Sequence, residues 1–424
     1  MRGLGYIQKV IKSPTFASFG AFAGSGVIVT VISGLGGLLQ ARWVAPEVFG
    51  EFQQYAILTG YLGILSQVVN DGLIRQYPYY IGKGDKDKAI DIAGIAKWWF
   101  LLATFIGGSI FAVLTARAAF RGDLHAVLGW GAQIVAVVVA FYGIFLGIMY
   151  RTANDFKRLS LNNLIHAGAG FSLLVLVRYF GYCGVATRNM LMNAVQVFVN
   201  HRYLPVKVKA HFEWAKFKEL ASISLKFSIP AYMHASGLSS TRGALLLYFC
   251  SKSGLGIYSM AVAFKLMVMG LSNALNQVFN VKVITRYGQT EDLWVCIKYA
   301  LRPAFLALLL SIAVVVGGWL GLPPFIRTFV PKYTAAIPVI NVLLVSVLIF
   351  PLSLPLLSLK AALMWKSAAA QAFSNFFVTV SMILLLPKEP IMFAVATVCG
   401  ELMESIVGYV ILFNVYRQRR SFVR

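Results

Sequence analysis

Apolar runs of about 20 residues recur along the whole chain and alternate with short polar breaks. A run of this length is what a helix needs to cross the hydrocarbon core of a bilayer. The pattern therefore predicts an all-α polytopic membrane protein with about 12 transmembrane helices. The predicted spans are 17–41, 52–74, 92–116, 125–149, 160–180, 184–201, 223–249, 258–281, 298–320, 338–359, 367–387 and 391–416.

The composition supports this prediction and argues against a water-soluble domain. Of the 424 residues, 59% are hydrophobic and only 12% are charged, whereas soluble domains carry about 25% charged residues. The formal net charge of +23 would point to nucleic acid if the basic residues formed one patch. They lie in short, separate loops instead, so we expect no nucleic-acid partner.

The Lys and Arg residues predict the orientation of the chain in the membrane. With these spans, 27 of the 38 Lys and Arg residues lie on the side that holds both termini, and nine lie on the other side. The remaining two, Arg242 and Lys265, lie inside spans. Because positively charged loops face the cytoplasm, we expect both termini to be cytoplasmic.

The longest polar break lies near the middle of the chain and divides the spans into two groups of six. We predict an N-terminal six-helix bundle over 1–200, a cytoplasmic linker over 201–222 and a C-terminal six-helix bundle over 223–424. Internal similarity supports this division. The segment Phe49-Gly50-Glu51-Phe52 is echoed 206 residues later by Leu255-Gly256-Ile257-Tyr258, and 81–85 resembles 287–291 at the same offset. Because six is even, the repeats are predicted to be parallel.

Basic residues inside the predicted spans are the main candidates for a function. A charge at the bilayer centre costs on the order of 2.5–3.5 kcal/mol on insertion scales, so it usually faces the protein interior or a cavity. Arg242 and Lys265 lie well inside their spans, where they either line a cavity or belong to buried ion pairs. Arg75 and Lys226 lie near cytoplasmic ends, where snorkelling to the surface is an equal alternative. An excess of buried cations predicts an anionic substrate.

Three acidic residues fall within the predicted spans: Asp71, Glu401 and Glu404. Glu401 and Glu404 are spaced i, i+3 and share one helix face. They could couple transport to an ion, but the favoured interpretation is that they pair with a basic residue on a neighbouring helix. Asp71 lies four residues before Arg75, so the two can pair along their helix, with ion coupling as the alternative.

The sequence carries no recognisable catalytic or metal-binding motif. There is no P-loop, no Gly-x-Ser-x-Gly and no HExxH, and the four cysteines lie far apart without CxxC spacing. An enzyme would have to use carboxylates in short loops, and the chain has only 15 acidic residues. We therefore expect no catalytic residues, no cofactor and no metal.

Four segments carry a resemblance to a known family. The segment ARWVAPEVFGEF, 41–52, follows a glycine-rich first span, while IRQYPYYIGKGDKDKA, 74–89, and YRTANDFKRLSLNNL, 150–164, are like that family's second and fourth loops. The segment PPFIRTFVPKYTAAIPVINVLLVS, 323–346, is like its stretch between spans nine and ten, with Pro331 where Gly is usual. The chain thereby resembles the polysaccharide-transporter family of the multidrug/oligosaccharidyl-lipid/polysaccharide exporter superfamily, the O-antigen-type lipid-linked oligosaccharide flippases.

The resemblance implies two six-helix bundles in a V around a central cationic cavity that opens to one side at a time. It implies a flippase that moves an undecaprenyl-pyrophosphate-linked oligosaccharide across the inner membrane for surface polysaccharide or O-antigen synthesis. Arg75, Lys226, Arg242 and Lys265 match the spans that typically receive the pyrophosphate. A polysaccharide polymerase is an optional partner. A multidrug or other small-molecule exporter of the same superfamily is the alternative function.

Overall fold

The chain is helical over the residues that the structure describes. The structure is a computed structural model that describes residues 14–153, 155–290, 292–361 and 364–422, and these residues contain no β-strand. The α-helices are α1 Pro14–Trp43, α2 Pro46–Leu62, α3 Ile64–Gly82, α4 Lys86–Phe120, α5 Leu124–Val138, α6 Ile144–Thr152, α7 Phe156–Ser172, α8 Leu174–Arg202, α9 Trp214–Tyr232, α10 Leu238–Thr290, α11 Leu293–Phe329, α12 Ile337–Ser353, α13 Leu357–Ala361, α14 Trp365–Leu385 and α15 Pro390–Phe422.

Most of these helices are long and apolar enough to cross a membrane. By length and hydropathy, eight helices in the described ranges qualify, or up to ten if each of two bent helix pairs counts as one span. The bent pairs are α2 with α3, which differ in direction by 52°, and α7 with α8, which differ by 68°. The prediction of an all-α polytopic membrane protein is therefore confirmed.

Two of the long helices contain a break at which the chain reverses, at Gly181 in α8 and at Ser251 in α10. Both residues have a positive φ, of 52° and 69°, and leave the helical conformation. Across Gly181, the Asn162 amide donates to Oδ1 of Asn200 at 2.9 Å, and these residues are equally far from the break. An unbroken α10 of 53 residues would be about 80 Å long, far more than a bilayer needs. In the described part of the chain these breaks divide α8 and α10 into two arms each, and the number of twelve spans stays a prediction.

By its internal contacts the chain divides into two compact units. The first consists of the described part of Met1–Gly37 together with Leu65–Leu225, and the second consists of Leu38–Ile64 and Lys226–Arg424. This division places 38–64 with the C-terminal helices, because α2 packs tightly on α10. It also places the linker with the first unit. The predicted bundle boundaries at 200 and 223 rest on the internal repeat and stay a prediction.

The first unit has an aromatic core and holds the linker. Phe100, Phe145 and Tyr150, from α4 and α6, are fully buried in it. The linker between α8 and α9 lies against the start of α4, where the Lys97 ammonium donates a hydrogen bond to the Val208 carbonyl oxygen at 2.7 Å. Lys97, a basic residue early in a span, therefore anchors the linker.

The second unit has its main core where α10, α12 and α15 meet. Tyr258 and Phe264 of α10, Leu343 of α12 and Phe393 of α15 are buried in one cluster. This cluster fixes α15 beside α10, so side chains of the two helices can reach each other within the membrane-spanning region.

The helices α2 and α10 cross at the two glycines of the repeated motif, Gly50 and Gly256. A Cβ atom on Gly50 would lie 2.8 Å from the carbonyl carbon of Lys252, and one on Gly256 would lie 2.7 Å from that of Pro46. Both distances are shorter than van der Waals contact between carbon atoms. The contact is reciprocal, because Lys252 and Gly256 follow Pro46 and Gly50 by the same 206 residues. Equivalent residues that contact each other in this way are related by a local two-fold axis, as expected for a duplicated segment, and the parallel arrangement of the repeats stays a prediction.

Two predictions reach residues that the structure does not describe. The match between 81–85 and 287–291 ends at Glu291, and the predicted cytoplasmic termini include residues 1–13 and 423–424. Both stay predictions.

Candidate functional site

A proline and a π-helical turn position the candidate site, which lies within the second unit. Pro230, inside α9, has no backbone N–H and so interrupts the hydrogen bonding of the helix. One π-helical turn, Met233–Gly237, follows before α10 begins. Such turns are frequent at functional sites. Here the turn carries His234, and Arg242 follows in the first turns of α10.

Arg242 lies on α10 with its guanidinium directed toward α15. Nη1 donates a hydrogen bond to Oγ1 of Thr397 at 3.1 Å, and the guanidinium carbon lies 5.8 Å from the centroid of the Tyr258 ring. The Tyr258 hydroxyl lies 2.9 Å from the same Thr397 oxygen. The buried Nε atom has no hydrogen-bond partner in the described part of the chain, and no ion pair there includes Arg242. In the described part of the chain, neutral groups therefore contact Arg242, and one of its donors is buried without a partner.

Lys265 is buried on α10 and forms an ion pair with Glu401 of α15. Its Nζ atom lies 2.6 Å from Oε1 of Glu401. The Lys265 side chain is 11% exposed and the Glu401 side chain 25% exposed. This is the pairing across neighbouring helices that the sequence favoured for Glu401. Lys265 also lines a cavity, so the two alternatives for Lys265 hold at the same time.

Arg242 and Lys265 line one cavity of about 470 Å³ within the second unit. The other polar groups of its wall are mostly hydroxyl groups, and apolar side chains such as Leu266 and Leu343 complete it. Two cations that converge with hydroxyl groups in an apolar setting can bind an anionic group through charge-assisted hydrogen bonds. The hydroxyl-bearing wall residues are Ser236, Ser239, Ser240, Tyr258 and Thr397.

Glu404, one turn beyond Glu401 on α15, contacts different partners. Its Oε2 atom lies 2.9 Å from Nδ1 of His234 and accepts a hydrogen bond from the Asn375 amide at 2.8 Å. Glu401 and Glu404 line a second cavity of about 270 Å³, together with Gln371 and His234. His234 lines the first cavity as well. The two carboxylates thus face one cavity from one helix but pair with different residues.

The helices α14 and α15 approach each other closely at Gly400. A Cβ atom there would lie 2.5 Å from Oδ1 of Asn375 and 2.9 Å from the Asn375 carbonyl oxygen. The Thr379 hydroxyl donates to the same Oδ1 atom at 3.1 Å, which orients the amide. Glycine at this position therefore lets the Asn375 NH₂ group reach Glu404.

The remaining predicted site residues lie elsewhere. Lys226, on α9, is exposed and does not line the 470 Å³ cavity. Arg75 belongs to the first unit and is exposed on α3. Asp71 also belongs to the first unit, and its backbone N–H donates to the Ser224 hydroxyl at 3.1 Å. The roles of Arg75 and Lys226 in substrate binding and of Asp71 in ion coupling stay predictions.

Three residues of the site, His234, Asn375 and Thr397, were not singled out in the sequence. Each is a polar residue inside an otherwise apolar span, and Thr397 lies one helical turn before Glu401. The sequence could therefore have indicated Thr397, because it lies four residues before Glu401 and residues spaced i, i+4 share a helix face. Among the described residues, no group of three or more His, Cys, Asp or Glu side chains could hold a metal ion.

No family model and no curated protein match the sequence of the chain. Solved structures do match its fold. An inward-facing multidrug resistance MATE family transporter of the MOP superfamily aligns with a TM-score of 0.70 and 16% identity, over 92% of this chain and 96% of that one. An outward-facing conformation of such a transporter aligns with a TM-score of 0.66 and 16% identity, over 95% and 96%.

A third solved structure is a MOP superfamily transporter from Pyrococcus furiosus. It aligns with a TM-score of 0.65 and 14% identity, over 95% of this chain and 96% of that one. Its description states that reverse polarity of the binding pocket suggests a different function. Such low identities establish a shared fold and leave function to be argued from the site. The chain therefore has the fold of the MATE family transporters of the MOP superfamily.

Proposed function

We propose that the protein is an alternating-access transporter that moves a lipid-linked oligosaccharide, carried on undecaprenyl pyrophosphate, across the cytoplasmic membrane. The observation that carries the proposal is the cavity of about 470 Å³ in which Arg242 and Lys265 converge. Intramembrane charges that face a cavity mark substrate pathways. Solved transporters of the same fold have inward-facing and outward-facing conformations, which supports alternating access for this chain.

The chemistry of the cavity favours an anionic headgroup. Arg242 forms no ion pair among the described residues, and a planar guanidinium suits two oxygens of one phosphate. Lys265 adds a compact charge, and the serine hydroxyls can donate to phosphate or sugar oxygens. A cavity of this volume suits a drug-sized group, so it would take the pyrophosphate and the nearest sugar and leave the rest of the oligosaccharide outside. In this proposal Arg75 and Lys226 are further candidates for binding the pyrophosphate.

The membrane potential would drive such a substrate outward. An inside-negative potential contributes about 2.3 kcal/mol per charge per 100 mV. A pyrophosphate with roughly two negative charges therefore gains on the order of 4–5 kcal/mol at 100 mV when it moves outward. If an ion is coupled to transport, Glu401, Glu404 and Asp71 are the candidates for carrying it.

Charge reversal at Arg242 tests the proposal. Arg242→Glu is expected to abolish flipping of the lipid-linked oligosaccharide in proteoliposomes, because it places an anion where the pyrophosphate binds. In cells it should cause loss of surface polysaccharide and accumulation of lipid-linked units inside. Arg327→Glu, at an exposed position near the end of α11, is the matched control and should transport normally. Normal transport by a correctly inserted Arg242→Glu protein would overturn the proposal.

A multidrug or other small-molecule exporter is the second candidate. The observation that favours it is the fold, since two of the solved structures above are named as multidrug resistance transporters. Because Lys265 is neutralised by Glu401 and Arg242 forms no ion pair among the described residues, the cavity is poorly suited to cationic drugs. Deletion of the gene distinguishes the two candidates: drug sensitivity with normal surface polysaccharide supports the exporter, and the reverse supports the flippase.

A further inference from the structure

The ion pair between Lys265 and Glu401 connects the walls of two cavities. Lys265 lines the cavity of about 470 Å³, whereas Glu401 lines the cavity of about 270 Å³. Among the described residues, the Glu401 carboxylate is the one hydrogen-bond acceptor of the Lys265 ammonium. An ammonium has three donors, so Lys265 keeps donors for an anion in the larger cavity, but the negative charge of Glu401 beside it opposes the binding of that anion.

Two residues on the same face of α15 contact the two cations, and these two residues differ in charge. Thr397, one turn before Glu401, gives Arg242 a neutral hydroxyl at 3.1 Å. Glu401 gives Lys265 a full negative charge at 2.6 Å. Among the described residues, the cavity therefore contains one cation that forms no ion pair and one cation whose charge is already neutralised.

We propose that Glu401 is an internal counter-ion that occupies Lys265 while the carrier is empty and is displaced when the substrate anion binds. This inference rests on the proposed function. A bare ammonium in a low-dielectric interior is unfavourable, and the pair removes that penalty while the empty carrier changes conformation. After substrate binding, the pyrophosphate neutralises Lys265 in place of the carboxylate.

The structure offers a polar place for the displaced carboxylate. Glu401 is more exposed than Lys265, and its own cavity is lined by Gln371, Ser405 and His234. In this state Gln371 donates to Ser367 and Ser405 donates to the Glu401 carbonyl oxygen, while His234 contacts Glu404. A displaced Glu401 carboxylate would therefore compete for donors that this cavity already contains.

The inference predicts opposite effects on binding and on turnover when the charge of Glu401 is removed. Glu401→Gln removes the competitor, so inorganic pyrophosphate should bind to the purified full-length protein about tenfold more tightly. The empty carrier, however, must then return with an uncompensated Lys265. Net transport into unloaded vesicles should fall at least tenfold, while exchange between loaded vesicles, which needs no empty return, stays within about threefold of the unaltered protein.

Three further variants separate this inference from a general loss of structure. Glu389→Gln, at an exposed position just before α15, is the matched control and should change neither affinity nor transport. Glu401→Asp keeps the charge on a shorter arm. It should bind pyrophosphate with intermediate affinity and provides the same test if Glu401→Gln does not fold. Lys265→Gln combined with Glu401→Gln should lose the gain in affinity, because the cation freed for the anion is then absent.

The outcomes distinguish the inference from the proposed function. Tighter pyrophosphate binding with loss of net transport but retained exchange supports the counter-ion role. Unchanged affinity in both Glu401 variants, or an equal loss of exchange and net transport, overturns it. If the unaltered protein binds no pyrophosphate and Lys265→Gln transports normally, the proposed function itself is wrong.

Discussion

Replacement of either glycine at the crossing of α2 and α10 by alanine is expected to destabilise the second unit. A Cβ atom on Gly50 would lie 2.8 Å from the carbonyl carbon of Lys252, whereas two carbon atoms pack at about 3.5–4.0 Å. The helices must therefore separate by roughly 1 Å, because a backbone carbonyl cannot rotate away as a side chain can. Gly256 meets Pro46 in the same way. Overpacking of this kind costs about 1–3 kcal/mol.

The assay is the free energy of unfolding of the purified full-length protein, measured by denaturant titration in detergent micelles. Gly50→Ala and Gly256→Ala should each lower it by about 1–3 kcal/mol. The double variant should lose clearly less than the sum, because one separation of the helices accommodates both methyl groups.

The matched control for this experiment is Gly317→Ala. Gly317 lies within α11, where an added Cβ atom would meet nothing within 4 Å. Alanine there should leave stability unchanged or raise it by up to about 1 kcal/mol, because alanine is the better helix former. The reasoning is refuted if Gly50→Ala and Gly256→Ala are as stable as this control, or if their effects add fully in the double variant.

Three further predictions concern the site. Lys265→Met or Glu401→Met alone should lower the free energy of unfolding by about 3–5 kcal/mol, because each leaves a buried charge unpaired. The double variant should be nearly as stable as the unaltered protein. Fully additive losses in the same denaturant titration would contradict this. Arg242→Lys keeps the charge but loses the planar fork, so transport in proteoliposomes should fall roughly tenfold; an unchanged rate would show that charge alone suffices. Gly400→Ala should push α14 away from α15 and lower the free energy of unfolding by about 1–3 kcal/mol, and an unchanged value would contradict the close approach to Asn375.

The membrane fold could be predicted from the sequence because its causes are local. Each span is a run of apolar residues long enough to cross the hydrocarbon core, and the bilayer requires such a run to satisfy its own backbone hydrogen bonds as a helix. The breaks at Gly181 and Ser251 fall beside the predicted boundaries at 180 and 249, since polar or glycine positions interrupt the apolar pattern there. The repeat was also visible, because Gly50 and Gly256 occupy equivalent places in the two halves.

The boundary between the first two helices differs from the one that the sequence predicted, and Pro46 explains the difference. The predicted first and second spans were 17–41 and 52–74, whereas α1 ends at Trp43 and Pro46 already begins α2. Proline is favoured at the first helical position, because its missing N–H would have no intrahelical partner there. The position of the boundary therefore shifts by a few residues, depending on whether the proline ends one helix or begins the next.

The partners of the charged residues depended on tertiary structure. Helical periodicity placed Glu401 and Glu404 on one face, but it did not show that one would pair with Lys265 and the other with His234. Lys265 and Glu401 are 136 residues apart in the chain, and they meet only because the core brings α10 beside α15. The length of an apolar run and its helical periodicity are properties of one segment, whereas ion pairs and cavities form between segments. The sequence alone therefore determined the helices and their membrane setting, and the packing of α10, α14 and α15 decided which group each cation contacts.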